Sequence, residues 1–135
     1  MFNNNKDKET DDYFIKITAL LIHAAKIDEN FSQKEEEIIY QALLNLGADN
    51  QNSKEILKKG KIMEENTNQI LDFTKEVKNM EEAKKIEIIE TLWRIIYSNN
   101  EADIYETNLM RRLAGLLYID SKTMGDIKDK IRKQI

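Results

Sequence analysis

Leu20-Leu21-Ile22-His23-Ala24-Ala25-Lys26-Ile27-Asp28-Glu29-Asn30-Phe31-Ser32-Gln33-Lys34-Glu35 is the stretch whose reading decides the fold. An apolar run at helical spacing gives way to a polar corner over 27–32, and a second helix opens at Ser32. Ser32 and Glu35 read as a capping box. The hydroxyl takes an orphan N–H of the new helix, and the carboxylate reaches back to the cap's own N–H. At an offset of 71 positions the pattern returns. Leu21 is matched by Leu92, Asp28 by Asn99, Ser32 by Asp103 and Glu35 by Glu106. Further on, Ile38 is matched by Leu109, Ile39 by Met110, Ala42 by Leu113, Leu46 by Leu117 and Ile56 by Ile127. A segment that recurs with both its caps and its apolar positions points to a duplicated structural unit.

Apolar residues keep helical spacing on either side of this corner. A first helix spans about 11–27, with Phe14, Ile17, Leu21, Ala24 and Ala25 on one face. A second, about 33–46, carries Ile38, Ile39, Ala42, Leu43 and Leu46, and Gly47 supplies its stop. A third starts after Ser53 with Ile56, Leu57 and Ile62, and a fourth covers about 67–78 with Ile70, Phe73, Thr74 and Val77. A fifth, about 80–98, is opened by Asn79 and Glu82 and carries Ile86, Ile89, Leu92, Trp93 and Ile96. The sixth, about 104–117, has Leu109, Met110, Leu113, Leu116 and Leu117; the seventh, about 121–134, has Met124, Ile127 and Ile131. No segment alternates with the period of a strand. The expectation is an all-α, compact bundle of about seven helices: two pseudo-symmetric three-helix halves joined by a connecting helix. Residues 1–10 are polar and read as a flexible tail, with 11–135 as a single domain.

The 135 residues include no Cys, no Pro, 4 Gly and 1 His. That composition excludes a disulfide scaffold, a thiolate metal site and a cysteine nucleophile. His23 lies about 200° around the helix from Leu21, so it is expected on the surface, and no Glu-x-x-His pair accompanies it. A net charge of −4 argues against nucleic acid as a partner. The basic groups Lys54, Lys58, Lys59 and Lys61, and Lys128, Lys130, Arg132 and Lys133, read as complements to helix dipoles. The N-terminus lacks the apolar core of a signal peptide, and no run of residues is apolar enough for a membrane span. A cytoplasmic setting is expected, with peripheral membrane association left open. There is no Gly-rich phosphate loop, nucleophile elbow or Cys–His pair, so the chain does not read as an enzyme.

The run from Leu20 to Glu35 resembles the first signature of TerB-like, tellurite-resistance-type proteins: a helix, a short Asp-Gly-Glu-like loop and a helix opened by Glu. Thr91-Leu92-Trp93-Arg94-Ile95-Ile96-Tyr97-Ser98-Asn99-Asn100-Glu101 is similar to the second, continuing through Glu106 to Leu109-Met110-Arg111-Arg112-Leu113-Ala114-Gly115-Leu116-Leu117. The resemblance covers about 14–132. It implies an all-helical fold and a role in tellurite or stress response, and it implies divalent-metal binding at the acidic corners. The sequence departs from that pattern at the loop glycines, replaced by Glu29 and Asn100. Asn99 stands where the second corner has Asp, which removes a charge from any hard-cation site.

The candidate site is therefore the pair of corners, with Asp28, Asn30, Glu35, Asn99, Glu101, Asp103 and Glu106 as oxygen donors for a divalent cation. The spacing of Asp28, Asn30 and Ser32 starts like a calcium loop, but Gln33 and Ile39 occupy the positions where an EF-hand needs Gly and Glu. Helix capping and partner recognition are the other readings of the same residues. Arg111 and Arg112 cannot both point inward, and one of them is expected to pair with a corner carboxylate such as Glu101 or Glu106. Trp93 is expected in the core next to the second corner, with a binding-pocket role as the alternative, and Gly115 is expected to admit a close neighbouring helix. The function expected is a non-enzymatic binding module acting through contacts with an unidentified protein partner; the alternative is a divalent-metal sensor. No organic cofactor is implied.

Overall fold

The computed structural model describes residues 4–26, 32–67, 71–98 and 104–134, with the side chains of 4–11, 71, 76 and 104–106 outside the description. Among the described residues there are seven helices and no strands. They are α1 (Asn4–Ala25), α2 (Gln33–Asn45), α3 (Asn50–Asn66), α4 (Leu71–Lys78), α5 (Glu82–Tyr97), α6 (Ile104–Leu116) and α7 (Ser121–Gln134). The all-α bundle expected from the periodicity is the observed fold.

Two helices form the interior. Along α1, Ile15, Thr18, Ala19, Leu20 and Ile22 are buried together with the expected face. On α5, Ile88 through Tyr97 are buried with the single exception of Arg94. A helix apolar on all sides has to be enclosed. Accordingly α1 packs against α2, α3, α4 and α5, while α5 packs against α1, α2 and α7. The amphipathic α3 and α7 lie outside them. One apolar cluster draws residues from all seven helices.

The duplication is legible in the backbone. After α2, Gly47 N–H donates to Leu44 O and Ala48 N–H to Leu43 O; after α6, Tyr118 N–H donates to Gly115 O and Ile119 N–H to Ala114 O. Both exits turn through a left-handed residue, Gly47 at φ 106° and Tyr118 at φ 57°. Asp49 then caps α3 by accepting from Gln51 N–H, and Asp120 accepts from Thr123 N–H at the start of α7. The exit bonds, the left-handed residues and the two capping aspartates are each separated by the same 71 positions, while the N–H that each aspartate accepts from is two residues on in α3 and three residues on in α7. Thus α1–α3 repeat as α5–α7, with α4 between.

Several boundaries differ from the sequence reading. Helix α1 begins at Asn4, inside the stretch read as a tail. The cap of α3 is Asp49, not Ser53; Ser53 is buried, and its hydroxyl donates to Asp49 O. The cap position of α5 is Glu81, which makes no side-chain capping bond, so Asn79 and Glu82 form no capping box. The close approach expected at Gly115 is at Gly60 instead. A Cβ on Gly60 would lie 2.7 Å from Thr18 Cβ, whereas one on Gly115 meets nothing within 4 Å.

Candidate functional site

Ser32 opens α2 with the capping box its sequence predicts. Glu35 N–H donates to Ser32 Oγ at 3.1 Å, and Ser32 N–H donates to Glu35 Oε1 at 2.9 Å. Glu35 is 2% exposed, so this carboxylate is a buried structural acceptor at the edge of the first corner. Its neighbour Lys34 reaches across to the other corner, with Nζ 3.5 Å from the Ser98 carbonyl at the end of α5. The described margins of the two corners therefore lie side by side.

At the exit of α1, Glu64 collects the side chain of His23, in its last turn, and that of Lys26, the residue that follows it. Lys26 Nζ stands 2.9 Å from its Oε2 and His23 Nδ1 3.6 Å from its Oε1. His23 is half-buried rather than on the open surface, with its ring tilted against Phe73. The helical angle from Leu21 was correct, but α3 and α4 cover that side too.

Two grooves follow the duplication. In the first half, α2 and α3 enclose a trough of about 690 Å³. Leu57 and Tyr40 form its apolar strip; Glu37 lies on the α2 wall, and Lys54 and Lys58 on the α3 wall. The trough is bridged by the 2.8 Å pair of Lys61 and Glu36 and by the hydrogen bond from Tyr40 to Asn50. The Lys54–Lys61 run thus lies mid-helix, short of the end of α3 at Asn66, where it does not complement the dipole; Lys54, Lys58 and Lys61 line the groove. In the second half, α6 and α7 enclose about 570 Å³ over Trp93 of α5. Here Thr107, Arg111, Gly125 and Lys128 take the places of Glu36, Tyr40, Lys54 and Leu57.

Electrostatics near these sites are set by local hydrogen bonds. Bonds from the Thr123 backbone and side chain hold the Asp120 carboxyl below its ordinary 3.8. Burial raises the Tyr97 phenol above its ordinary 10.0, with Arg132 opposing the shift. Lys85, buried on α5, donates to Leu117 O at 3.1 Å and satisfies a carbonyl at the end of α6.

The family model described as "Tellurite resistance protein TerB" matches residues 14–129. The chain belongs to the TerB family. Among curated proteins and among solved structures, none matches it significantly. The matched span runs from early α1 to late α7, so the TerB assignment covers both repeats and both grooves.

Of the seven corner residues read as oxygen donors in this TerB chain, Asp28, Asn30, Asn99, Glu101 and Asp103 lie outside the described residues. Glu106 falls within the first turn of α6, with its side chain also outside the description. Glu35 is placed, and it acts as a cap. Among the described residues no group of three or more His, Asp or Glu is arranged to hold a metal ion. Arg111 and Arg112 are both exposed. The second groove went unread in the sequence. Its signal was the substitution of Ala114, Gly115 and Gly125 for Leu43, Leu44 and Lys54, visible only once the repeats are aligned.

Proposed function

We propose that this TerB-family protein is a non-catalytic helical binding module in a tellurite or wider stress response, and that it docks a protein partner in the α2–α3 groove. The observation that carries the reading is the groove's construction. An apolar strip of Leu57 and Tyr40 runs between an acidic wall, Glu37, and a basic wall, Lys54 and Lys58. A polypeptide segment with an apolar side chain flanked by both charges fits such a trough, since interfaces combine an apolar centre with a polar rim. A cytoplasmic setting belongs to the same proposal. No helix among the described residues is long and apolar enough to cross a membrane.

The chain has no Cys, so a single Lys58→Cys carries one photocrosslinker cleanly. Crosslinking in tellurite-challenged host cells is expected to give one discrete protein adduct. Lys54→Glu with Leu57→Asp should remove the adduct and the complementation of a tellurite-sensitive deletion strain. Full complementation by that variant refutes the groove. Turnover that disappears in Asp28→Ala without loss of fold refutes the non-catalytic role.

The Lys34–Ser98 contact favours a second reading, because it brings together the described margins of the two corners, the start of α2 and the end of α5. The donors there are all oxygen, which suits a hard cation such as Ca²⁺ or Mn²⁺ rather than a thiolate-seeking metal. This reading expects a thermal shift with Ca²⁺ or Mn²⁺ that Asp28→Asn or Glu101→Gln abolishes; no shift at millimolar cation refutes it.

A further inference from the structure

Trp93 is 3% exposed, and its indole Nε1–H is buried with no hydrogen-bond partner among the described residues. A buried indole N–H ordinarily finds an acceptor, and leaving one without costs free energy. This tryptophan lines the α6–α7 groove. The groove is widened by Gly115, in the last turn of α6, and Gly125, inside α7; packing requires neither, since a Cβ on either meets nothing within 4 Å. In a helix interior, as at Gly125, glycine costs about 1 kcal/mol of stability relative to alanine. In the first repeat the positions equivalent to Ala114 and Gly115 carry Leu43 and Leu44, and that of Trp93 carries the fully buried Ile22.

The lining has the composition of a small-molecule site. Met110 and Met124 border the indole, and unbranched methionines repack readily around a guest. A volume of about 570 Å³ lies within the range of ligand pockets. The charge is one-sided. Lys128 Nζ sits 5.4 Å from the centre of the Trp93 ring, and exposed Arg111 lies on the α6 wall. The one lining carboxylate, Asp120, is turned to the N–H of Thr123.

We infer that the α6–α7 groove binds a small amphipathic carboxylate, with its apolar body over Trp93 between Met110 and Met124 and its carboxylate facing the indole N–H, Lys128 and Arg111. A carboxylate is acceptor-only, which matches the donor Trp93 Nε1–H, the buried side-chain atom left without a partner among the described residues, and the cations Lys128 and Arg111 beside it. The site is separate from the α2–α3 groove and does not depend on any protein partner docking there.

Trp93 is the only tryptophan, so its fluorescence reports on this groove alone. The probe is decanoate, titrated into the full-length protein below its micelle concentration. A saturable change in Trp93 emission is expected, with decanol binding more weakly. Lys128→Gln should weaken decanoate by about tenfold. Gly115→Leu, which restores the first repeat's side chain, should abolish binding while melting no lower than wild type. Should Gly115→Leu melt lower, Gly125→Ala with Lys128→Gln replaces it, and the same loss is expected. A linear, non-saturating response to decanoate overturns the inference. So does unchanged binding in the groove-filling variant, or equal affinity for decanoate and decanol.

Discussion

Adding one methyl group at Gly60 should destabilise this protein, although the same change at Gly115 should stabilise it. Gly60 sits inside α3, where alanine is favoured over glycine by about 1 kcal/mol, and Gly115 in the last turn of α6, where the preference is smaller. They differ in what the new methyl meets. At Gly60 it would lie 2.7 Å from Thr18 Cβ and 3.4 Å from the Ile15 carbonyl oxygen. Thr18 is fully buried, and its hydroxyl donates to Phe14 O at 2.8 Å, so its rotamer is held. Cβ is fixed to the backbone, and the strain is relieved only by parting α1 from α3. Overpacking of this kind costs roughly 1–3 kcal/mol, more where backbone must move. After the helix-propensity gain, a net loss of about 2 kcal/mol is expected for Gly60→Ala. With about 3–5 °C per kcal/mol for a domain of this length, the melting temperature should fall by roughly 8 °C. Gly115→Ala, with open space around it but in the last turn of its helix, should raise it by about 2 °C. Thermal and urea unfolding followed by circular dichroism at 222 nm measure both, with unchanged urea m-values required for the comparison. Adding Thr18→Ser should rescue Gly60→Ala only in part, because it removes the methyl but leaves Cβ in place. If Gly60→Ala proves as stable as wild type, the close α1–α3 approach and the packing argument built on it are wrong.

The two helix exits provide a paired test. Tyr118 holds φ 57°, so Tyr118→Gly should stabilise by up to about 1 kcal/mol after loss of the Lys78 contact to its ring; Gly47→Ala at φ 106° should destabilise by about 1–2 kcal/mol. Chemical denaturation of the two variants reads the opposite signs. The capping box predicts that Glu35→Ala costs about 1 kcal/mol while Glu35→Gln costs little, since glutamine serves the same box; equal losses would mean that the charge rather than the bond to Ser32 matters. For pH, the Asp120 carboxyl titrates lower in the folded state than in the unfolded chain. Its contribution is complete above the unfolded value near 3.8 and is lost as pH falls through the lower folded value. Stability measured from pH 6 to pH 2 should therefore decline less in Asp120→Asn than in wild type, and an identical slope would refute the assignment.

Periodicity, caps and the 71-residue repeat were local properties, and they were readable because each depends on residues a few positions apart. The Ser32–Glu35 box, the stop at Gly47 and the full extent of α7 all follow from the order of side chains along one helix. The boundaries of α1 and α3 were missed where no apolar residue marks them, as at Asn4 and Asn50. The burial of α1 and α5 on every side was also beyond a one-face reading, because enclosure depends on how many neighbours a helix acquires. The same holds for His23, which α3 and α4 cover, and for the close approach at Gly60.

The acidic corners were conspicuous in the sequence because charged side chains cluster there. The α6–α7 groove was not, because it is made of absent side chains. Gly115 and Gly125 carry no chemistry of their own, and Trp93 looks like any core residue until its N–H is found without a partner among the described residues. By itself, then, the sequence determined the helices, the Ser32–Glu35 cap, the duplication and the TerB family. Which helices lie inside, and which of two equivalent grooves opens onto a tryptophan, was decided in tertiary structure, because a void exists only between elements and no single segment encodes it.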